Sequence, residues 1–421
     1  MDSSPPRLLI LADAPDPLCT LFGISLLERL LRITQRLGFR EAVIISDSKD
    51  IPAHLAVPSW ARADVALSFR RKNADPIRVS EIPAGSERTL VVSAGFYYDA
   101  RLLQALTEQK VTTLLVDSLP PRDCVRLWGN QSDMFGAAVL LDRHWLSRQD
   151  QDAPLMERLS SDAIRGRIQT CDAARQPTYV MSLRKHVRPV FFPAPSPDLL
   201  RVAEKFPRNA AQNGVLDFPG VINAPIEDWV VARLCRTSIT PNQVTFGTML
   251  IGLIVTALFA AGYLWWGVAL ACAIGVLDGV DGKLARTKVE TTAAGNWEHV
   301  IDFVIELSWW TALAYHFHTE NLRSAYWLLL LLVGSDAVDR LAKRAVKRKV
   351  GRNLDDVSNI DRFVRCIGSR RNINIWILIA ALALGDAANG FVLICGWGAA
   401  TAAAHVIRAL QIRFGNSVAF L

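Results

Sequence analysis

Two acidic stretches carry the chemistry legible in this 421-residue chain. LDGVDGKLART (277–287) places Asp278 and Asp281 one helical turn apart, so both carboxylates share a face. GNWEHVIDFVIE (295–306) repeats the arrangement, with Glu298, Asp302 and Glu306 spaced by four. Carboxylates brought together repel unless cations lie between them. Hard oxygen ligands of this kind suit Mg²⁺ or Mn²⁺, completed by substrate phosphates. Lys283 and Arg286 stand beside them as partners for phosphate oxygens, and Gly279 and Gly282 free the backbone for a ligand's close approach. Metal, phosphate and a spare carboxylate together equip a site for phosphoryl transfer. The plainer reading, carboxylates paired with loop arginines, suits one acidic residue better than two facing stripes.

The elements that must hold these residues are apolar. Hydrophobic residues make up 51% of the chain, and the long apolar runs come after residue 215 or so. Those near 241–262, 263–282, 297–318, 324–342, 372–386 and 388–412 are each about long enough to cross a bilayer core. Six crossings return the chain to its starting side, and the connections agree. AAGYLW, FHTENLR and LGDAANG are nearly free of basic residues, whereas LARTKVETT, AKRAVKRKVGR and DRFVRCIGSRR are rich in them. Basic residues gather on the cytoplasmic side of membrane proteins, so the net charge of +7 is read as topology and anionic lipid, not nucleic acid. Ahead of the first run, PIEDWVVARLCRTSITPNQ puts Trp229, Val230, Leu234 and Cys235 near one face, with Arg233 and Arg236 beside it. This suits an amphipathic helix lying in the interface; a surface helix of the soluble half is the alternative. Arg362, Arg365, Arg370 and Arg371 lie between the fourth and fifth runs. They serve either topology alone or a phosphate on an acceptor.

Residues 1–190 alternate strand-like runs (RLLILAD, EAVIISD, TLVVSAGF, VTTLLVD) with helical ones (SLLERLLRITQRLGF, DARLLQALTEQ), the pattern of an α/β domain with a mostly parallel sheet. Residues 191–222, rich in Pro, Asn and Gly, read as a linker, and 223–421 as the membrane domain. Seven scattered cysteines without a CxxC pair argue against a zinc site or a disulfide framework. The opening MDSSPPRLLILADAPDP shows no basic region followed by a long apolar one. The expectation is therefore no signal peptide, with the first half and the acidic stripes cytoplasmic at an inner membrane.

DGVDGKLARTKVETTAAGNWEHVID resembles the signature of CDP-alcohol phosphotransferases, D-x2-D-G-x2-A-R-x8-G-x3-D-x3-D. Asp278, Asp281, Gly282, Ala285, Arg286 and Gly295 match in register. Counted strictly, His299 and Phe303 take the last two acidic positions; with one residue deleted after Trp297, Glu298 and Asp302 take them. The resemblance implies that Asp278, Asp281, Glu298 and Asp302 bind two divalent ions, with Asp302 also the general base. Gly282, Ala285 and Arg286 would contact the CDP moiety, and Asn242 and Thr245 of TPNQVT border that pocket. It further implies a CDP-alcohol donor, an alcohol or phosphoalcohol acceptor, CMP as leaving group and a homodimer formed through the spans. His299 is either a nitrogen ligand or a helix histidine bonded to a nearby carboxylate.

The first half is similar to sugar-phosphate nucleotidyltransferases, a Rossmann-type fold. Some members fuse this domain to a CDP-alcohol phosphotransferase, as in inositol-phosphate cytidylyltransferase joined to di-myo-inositol-phosphate-phosphate synthase. Where that family has a Gly-rich, basic phosphate loop, this chain reads ADAPDPLCTLFG, with no lysine or arginine, and where it has a metal aspartate after its central strand, this chain reads SAGFYYD, without that carboxylate. The expectation is a degenerate domain, with Asp13, Asp16 and Asp99 as loop and cap residues. A scaffold without chemistry, and a bifunctional enzyme that makes its own donor, are the competing readings.

Overall fold

The computed structural model describes residues 6–12, 16–72, 76–82, 87–129, 135–290 and 295–414, with side chains except at 60, 135–137 and 295–299. The chain divides into two compact units. One comprises Met1–Tyr179, His186–Ala210 and Thr287–Glu290; the other comprises Val180–Lys185, Ala211–Arg286 and Thr291–Leu421.

In the first unit Arg7–Leu11 (β1), Glu41–Ile45 (β2), Ala66–Arg70 (β3), Arg88–Ser93 (β4), Thr113–Val116 (β5), Phe135–Asp142 (β6) and Gln169–Asp172 (β7) form one sheet in the order β7-β5-β6-β4-β1-β2-β3. Neighbours pair in parallel except β6, which runs antiparallel to both β4 and β5. Both faces are covered, as the apolar runs require. Leu8 and Ile10 of β1 pack into one cluster with Leu27 and Leu31, and Leu9 packs into the other with Leu155 and Leu159. Ser25 starts Leu26–Arg36 (α1) by accepting the Glu28 N–H at 3.1 Å, and Asp99 starts Ala100–Thr107 (α2) in the same way. The helices Leu155–Ile164 (α3) and Leu200–Ala211 (α4) follow.

Residues 191–222 are not an unstructured connection. Phe191–Pro193 pairs antiparallel with Phe96–Tyr98, α4 follows, and a helix begins at Phe218. Pro219 occupies the first turn of that helix, where a missing N–H costs nothing, so the proline marks a helix start.

The second unit is helical: Phe218–Leu234 (α5), Pro241–Ala260 (α6), Leu264–Lys288 (α7), Gly295–Thr319 (α8), Ala325–Val350 (α9), Asn359–Ile367 (α10), Arg371–Ala383 (α11) and Ala387–Phe414 (α12). A helix stands at each of the six apolar runs. By length and composition three of them, α6, α7 and α12, suffice to cross a membrane. The first half of α8 carries three acidic residues, the second half of α9 carries acidic and basic ones, and α11 has 13 residues, about 20 Å of helix against a core of about 30 Å. Thr240 and Gln243 cap α6 reciprocally, so much of TPNQ is a helix start. α6 and α8 cross closely at Gly252, where the Trp309 indole N–H donates to the Gly252 carbonyl at 2.9 Å. Trp309 itself is fully buried among Val255, Phe259 and Leu313.

On α5 the exposed apolar stripe is Phe218, Ile222, Ile226 and Trp229, whereas Val231 and Cys235 face inward. Trp229 and Cys235 therefore do not share the face expected of them. Arg233 stacks over Trp229 at 4.0 Å.

Candidate active site

The helical unit contains a cavity of about 620 Å³ into which both acidic stripes project. α7 contributes Asp278, Gly279, Asp281, Gly282 and Arg286, and α8 contributes Asp302 and Glu306. The facing wall is more basic. It carries Arg340 and Lys343 with Asp336 and Asp339 from α9, Arg365 from α10, and Arg370 and Arg371 at the start of α11.

Each carboxylate is positioned by neighbours. Asp281 is buried and accepts the Thr245 hydroxyl at 2.7 Å from the first turns of α6. Asp278 pairs with the largely buried Arg371 guanidinium at 2.9 Å. Glu306 accepts the Trp310 indole N–H at 3.4 Å. Arg286 is fixed by an Nε bond to the Ala211 carbonyl at 2.7 Å and lies against the open face of Gly282.

The structure revises several roles read from the sequence. Lys283 points away from the cavity, into α5, where it pairs with Glu227 at 2.9 Å and Asp228 at 2.7 Å. At Gly279 the missing side chain makes room for the Glu227 carboxylate, which a Cβ would overlap. That glycine therefore serves helix packing. Burial pushes the Glu227 carboxyl above its ordinary range, against the pull of Lys283. Arg362 turns to Asp356 at 2.6 Å and is absent from the described lining, whereas Arg365, Arg370 and Arg371 are present in it. Asn242 is exposed in the first turn of α6, and neither it, Thr245 nor Ala285 is among the described lining residues. Thr245 reaches the site through Asp281. The side chains of Glu298 and His299 lie outside the described residues, as does Asp13. Asp16 accepts the Leu18 N–H in a local turn, and Asp99 is a helix cap.

Arg184, Asn213, Asp336, Asp339 and Asp355 also line the cavity. No spacing signal marks the first two, which precede the membrane runs. Asp336 and Asp339 do repeat the three-residue spacing of Asp278 and Asp281, and that signal was available.

Among the described residues, no three acidic, histidine or cysteine side chains converge to hold one ion by themselves. The donor chemistry nevertheless fits a hard divalent cation. Asp278, Asp281 and Asp302 all offer carboxylate oxygens to one cavity, with no thiolate or imidazole among its described lining.

Residues 238–403 match the model of the CDP-alcohol phosphatidyltransferase family. The match is to a CDP-alcohol phosphatidyltransferase domain and spans less than half of the chain. The matched stretch contains both acidic stripes and all the lining residues from α7 to α12. The chain is 28% identical over 198 residues to the bifunctional IPC transferase and DIPP synthase of Aquifex aeolicus, covering 45% of this chain and 44% of that protein. To the protein of the same name from Rubrobacter xylanophilus it is 26% identical over 323 residues, covering 67% of this chain and 68% of that one. The chain thus matches less than half the length of the Aquifex relative. The inositol-1-phosphate CTP transferase structure from T. maritima aligns with 49% of this chain and 98% of its own, at 12% identity and a TM-score of 0.33.

Proposed function

We propose that this chain moves a phosphoalcohol group from a CDP-alcohol donor to an acceptor hydroxyl, with release of CMP, in phospholipid or inositol-phosphodiester synthesis. The observation that carries the reading is the meeting of Asp278, Asp281, Arg286 and Asp302 in one cavity of a phosphatidyltransferase domain. Gly282 and Arg286, which line the cavity, face the CDP part of the donor, with Ala285 beside them on α7 and Thr245 behind Asp281. Asp278, Asp281, Glu298 and Asp302 would hold two divalent ions, Mg²⁺ or Mn²⁺, which when bound neutralise the charge of the diphosphate. The acceptor oxygen forms a bond to the phosphorus bearing the donor alcohol. The bond from that phosphorus to the CMP oxygen breaks, its electron pair leaves with CMP, and the acceptor proton passes to the Asp302 carboxylate. Arg365, Arg370 and Arg371 attract the acceptor from the basic wall, and Arg362 takes no part.

The six apolar helices are read as six membrane crossings, with the cavity and the α/β unit on the cytoplasmic side of an inner membrane. Exposed Tyr263, Trp265, Trp266, Tyr326 and Trp327 at the weakly basic turns suit the opposite interface. A second copy of the chain and the bilayer are the partners of this surface. Purified protein given CDP-alcohols and acceptor alcohols is expected to release CMP only when divalent ions are present. No CMP from any pair would end this reading.

The α/β unit is read as nucleotidyltransferase-like but inert. The stretch aligned with a nucleotide phosphate loop folds at Thr20–Leu21 and Ile24–Ser25 into a tight hairpin, whose Leu21, Phe22 and Ile24 are buried in the core. Apolar side chains occupy the place of phosphate donors.

A further inference from the structure

We propose that α10 belongs to the fifth membrane crossing: its exposed face lies in lipid, and α10 and α11 make one crossing broken at 368–370. The inference rests on the membrane reading of the helical unit and refines it.

α11 alone is about 20 Å long, short of a core of about 30 Å. α10, with nine residues, adds about 14 Å. It also carries the face that lipid requires. Ile360, Phe363 and Ile367 lie three and four residues apart, so they share one side of the helix. They are its largest apolar side chains, yet they are 72%, 63% and 37% exposed. Its three charged residues are all paired within the protein: Asp361 with Arg408 at 2.8 Å, Arg362 with Asp356 at 2.6 Å and Arg365 with Asp355 at 3.1 Å. A helix in an aqueous loop turns its apolar side inward and its charges to solvent. α10 does the reverse.

The contacts with α12 set the depth, since α12 is one of the three helices long and apolar enough to cross a membrane. Arg408 meets α10 near its start, at Asp361. At the other end the Trp397 indole N–H donates to the Ile367 carbonyl at 2.9 Å, and the Ser369 N–H donates to the Thr401 hydroxyl oxygen at 3.0 Å. Following α10 forward therefore steps back along α12 from Arg408 to Trp397, about 16 Å of helix. About 20 residues of α12 counted from Ala387 fill the core, which puts Asp361 at the cytoplasmic edge and Ile367 inside. Backbone outside a helix persists at that depth where it is bonded within the protein or lines an aqueous cavity. The break meets both conditions. The Gly368 N–H donates to the Val364 carbonyl at 2.7 Å, Ser369 is held by Thr401, and Ser369, Arg370 and Arg371 line the cavity. The broken crossing thus turns Arg370 and Arg371 into the site.

Photo-crosslinking of the full chain in phosphatidylcholine nanodiscs reads what covers the stripe. p-Benzoylphenylalanine is placed at Phe363 and, in a second variant, at Ile360, with folding of each checked by thermal unfolding. The same group at Leu253, exposed on α6, reports on an undisputed apolar span. Mass spectrometry after irradiation is expected to find phosphatidylcholine joined through its acyl chain at both α10 positions, within about threefold of the yield at Leu253. A cross-linked dimer in place of lipid adducts would overturn the proposal and give the stripe to a second copy of the chain. Lipid adducts at Leu253 but none at either α10 position would also overturn it and leave α10 in water. An absence of lipid adducts at Leu253 as well would end the membrane reading itself, and this proposal with it, so the two failures are distinguishable.

Discussion

Lys283 and Arg286 stand side by side in the signature stretch, and the structure gives them different tasks. Lys283 is enclosed with Glu227 and Asp228. Lys283→Met would strand two carboxylates and is expected to cost about 3–5 kcal/mol, read as a lower thermal midpoint in detergent with donor KM near wild type. Arg286 faces the cavity, and Arg286→Ala is expected to raise donor KM about tenfold with little loss of stability. In the α/β unit Glu28 receives Arg32 at 2.9 Å, Arg62 at 2.6 Å and Ser59 at 2.9 Å. Burial opposes its ionisation, but these partners hold the carboxyl below its ordinary value. A lowered acid stabilises the fold above its unfolded pKa and loses that contribution as pH falls through the folded one. The stability gap between wild type and Glu28→Gln should therefore be widest near pH 7 and shrink below about pH 4.3, by thermal or denaturant unfolding across pH.

At the scale of elements, what the sequence made legible was periodicity. Continuous apolar runs located β1, β2, β4 and β5, and the six long runs located the starts of α6–α9, α11 and α12, because burial imposes those patterns directly, whereas α7 and α9 continue past their apolar runs to Lys288 and Val350. Elements stabilised by particular contacts were harder to read. α10 hid within a basic stretch because its Asp361 and Arg362 are satisfied by Arg408 and Asp356 rather than by solvent. α4 and the start of α5 hid behind prolines. Arg184 could not be read at all, since its place depends on a turn held from outside it. Glycines make the same point. Gly279 admits Glu227, whereas nothing lies within 4 Å of the Gly247 Cβ position. Gly279→Ala should destabilise the helical unit by about 1–3 kcal/mol while Gly247→Ala should not, measured by thermal unfolding of both variants.

At the scale of the whole molecule, the α/β unit is proposed to be inert, and the helical unit, whose carboxylates share one cavity, to carry the chemistry. The first claim predicts that CTP and myo-inositol 1-phosphate give no pyrophosphate with the full chain; pyrophosphate formation would make it bifunctional. The second is the central one, and Asp302 is its sharpest point. Its carboxylate shares the cavity with Asp278 and Asp281, and Asn keeps its size while removing its basicity. The most direct measurement is Mg²⁺-dependent CMP release by purified wild type and Asp302→Asn, across a panel of CDP-alcohols and acceptors, with folding of both checked by thermal unfolding. The account predicts release by the wild type and a fall of about 100-fold or more in a folded Asp302→Asn protein. Equal release by the two would contradict it.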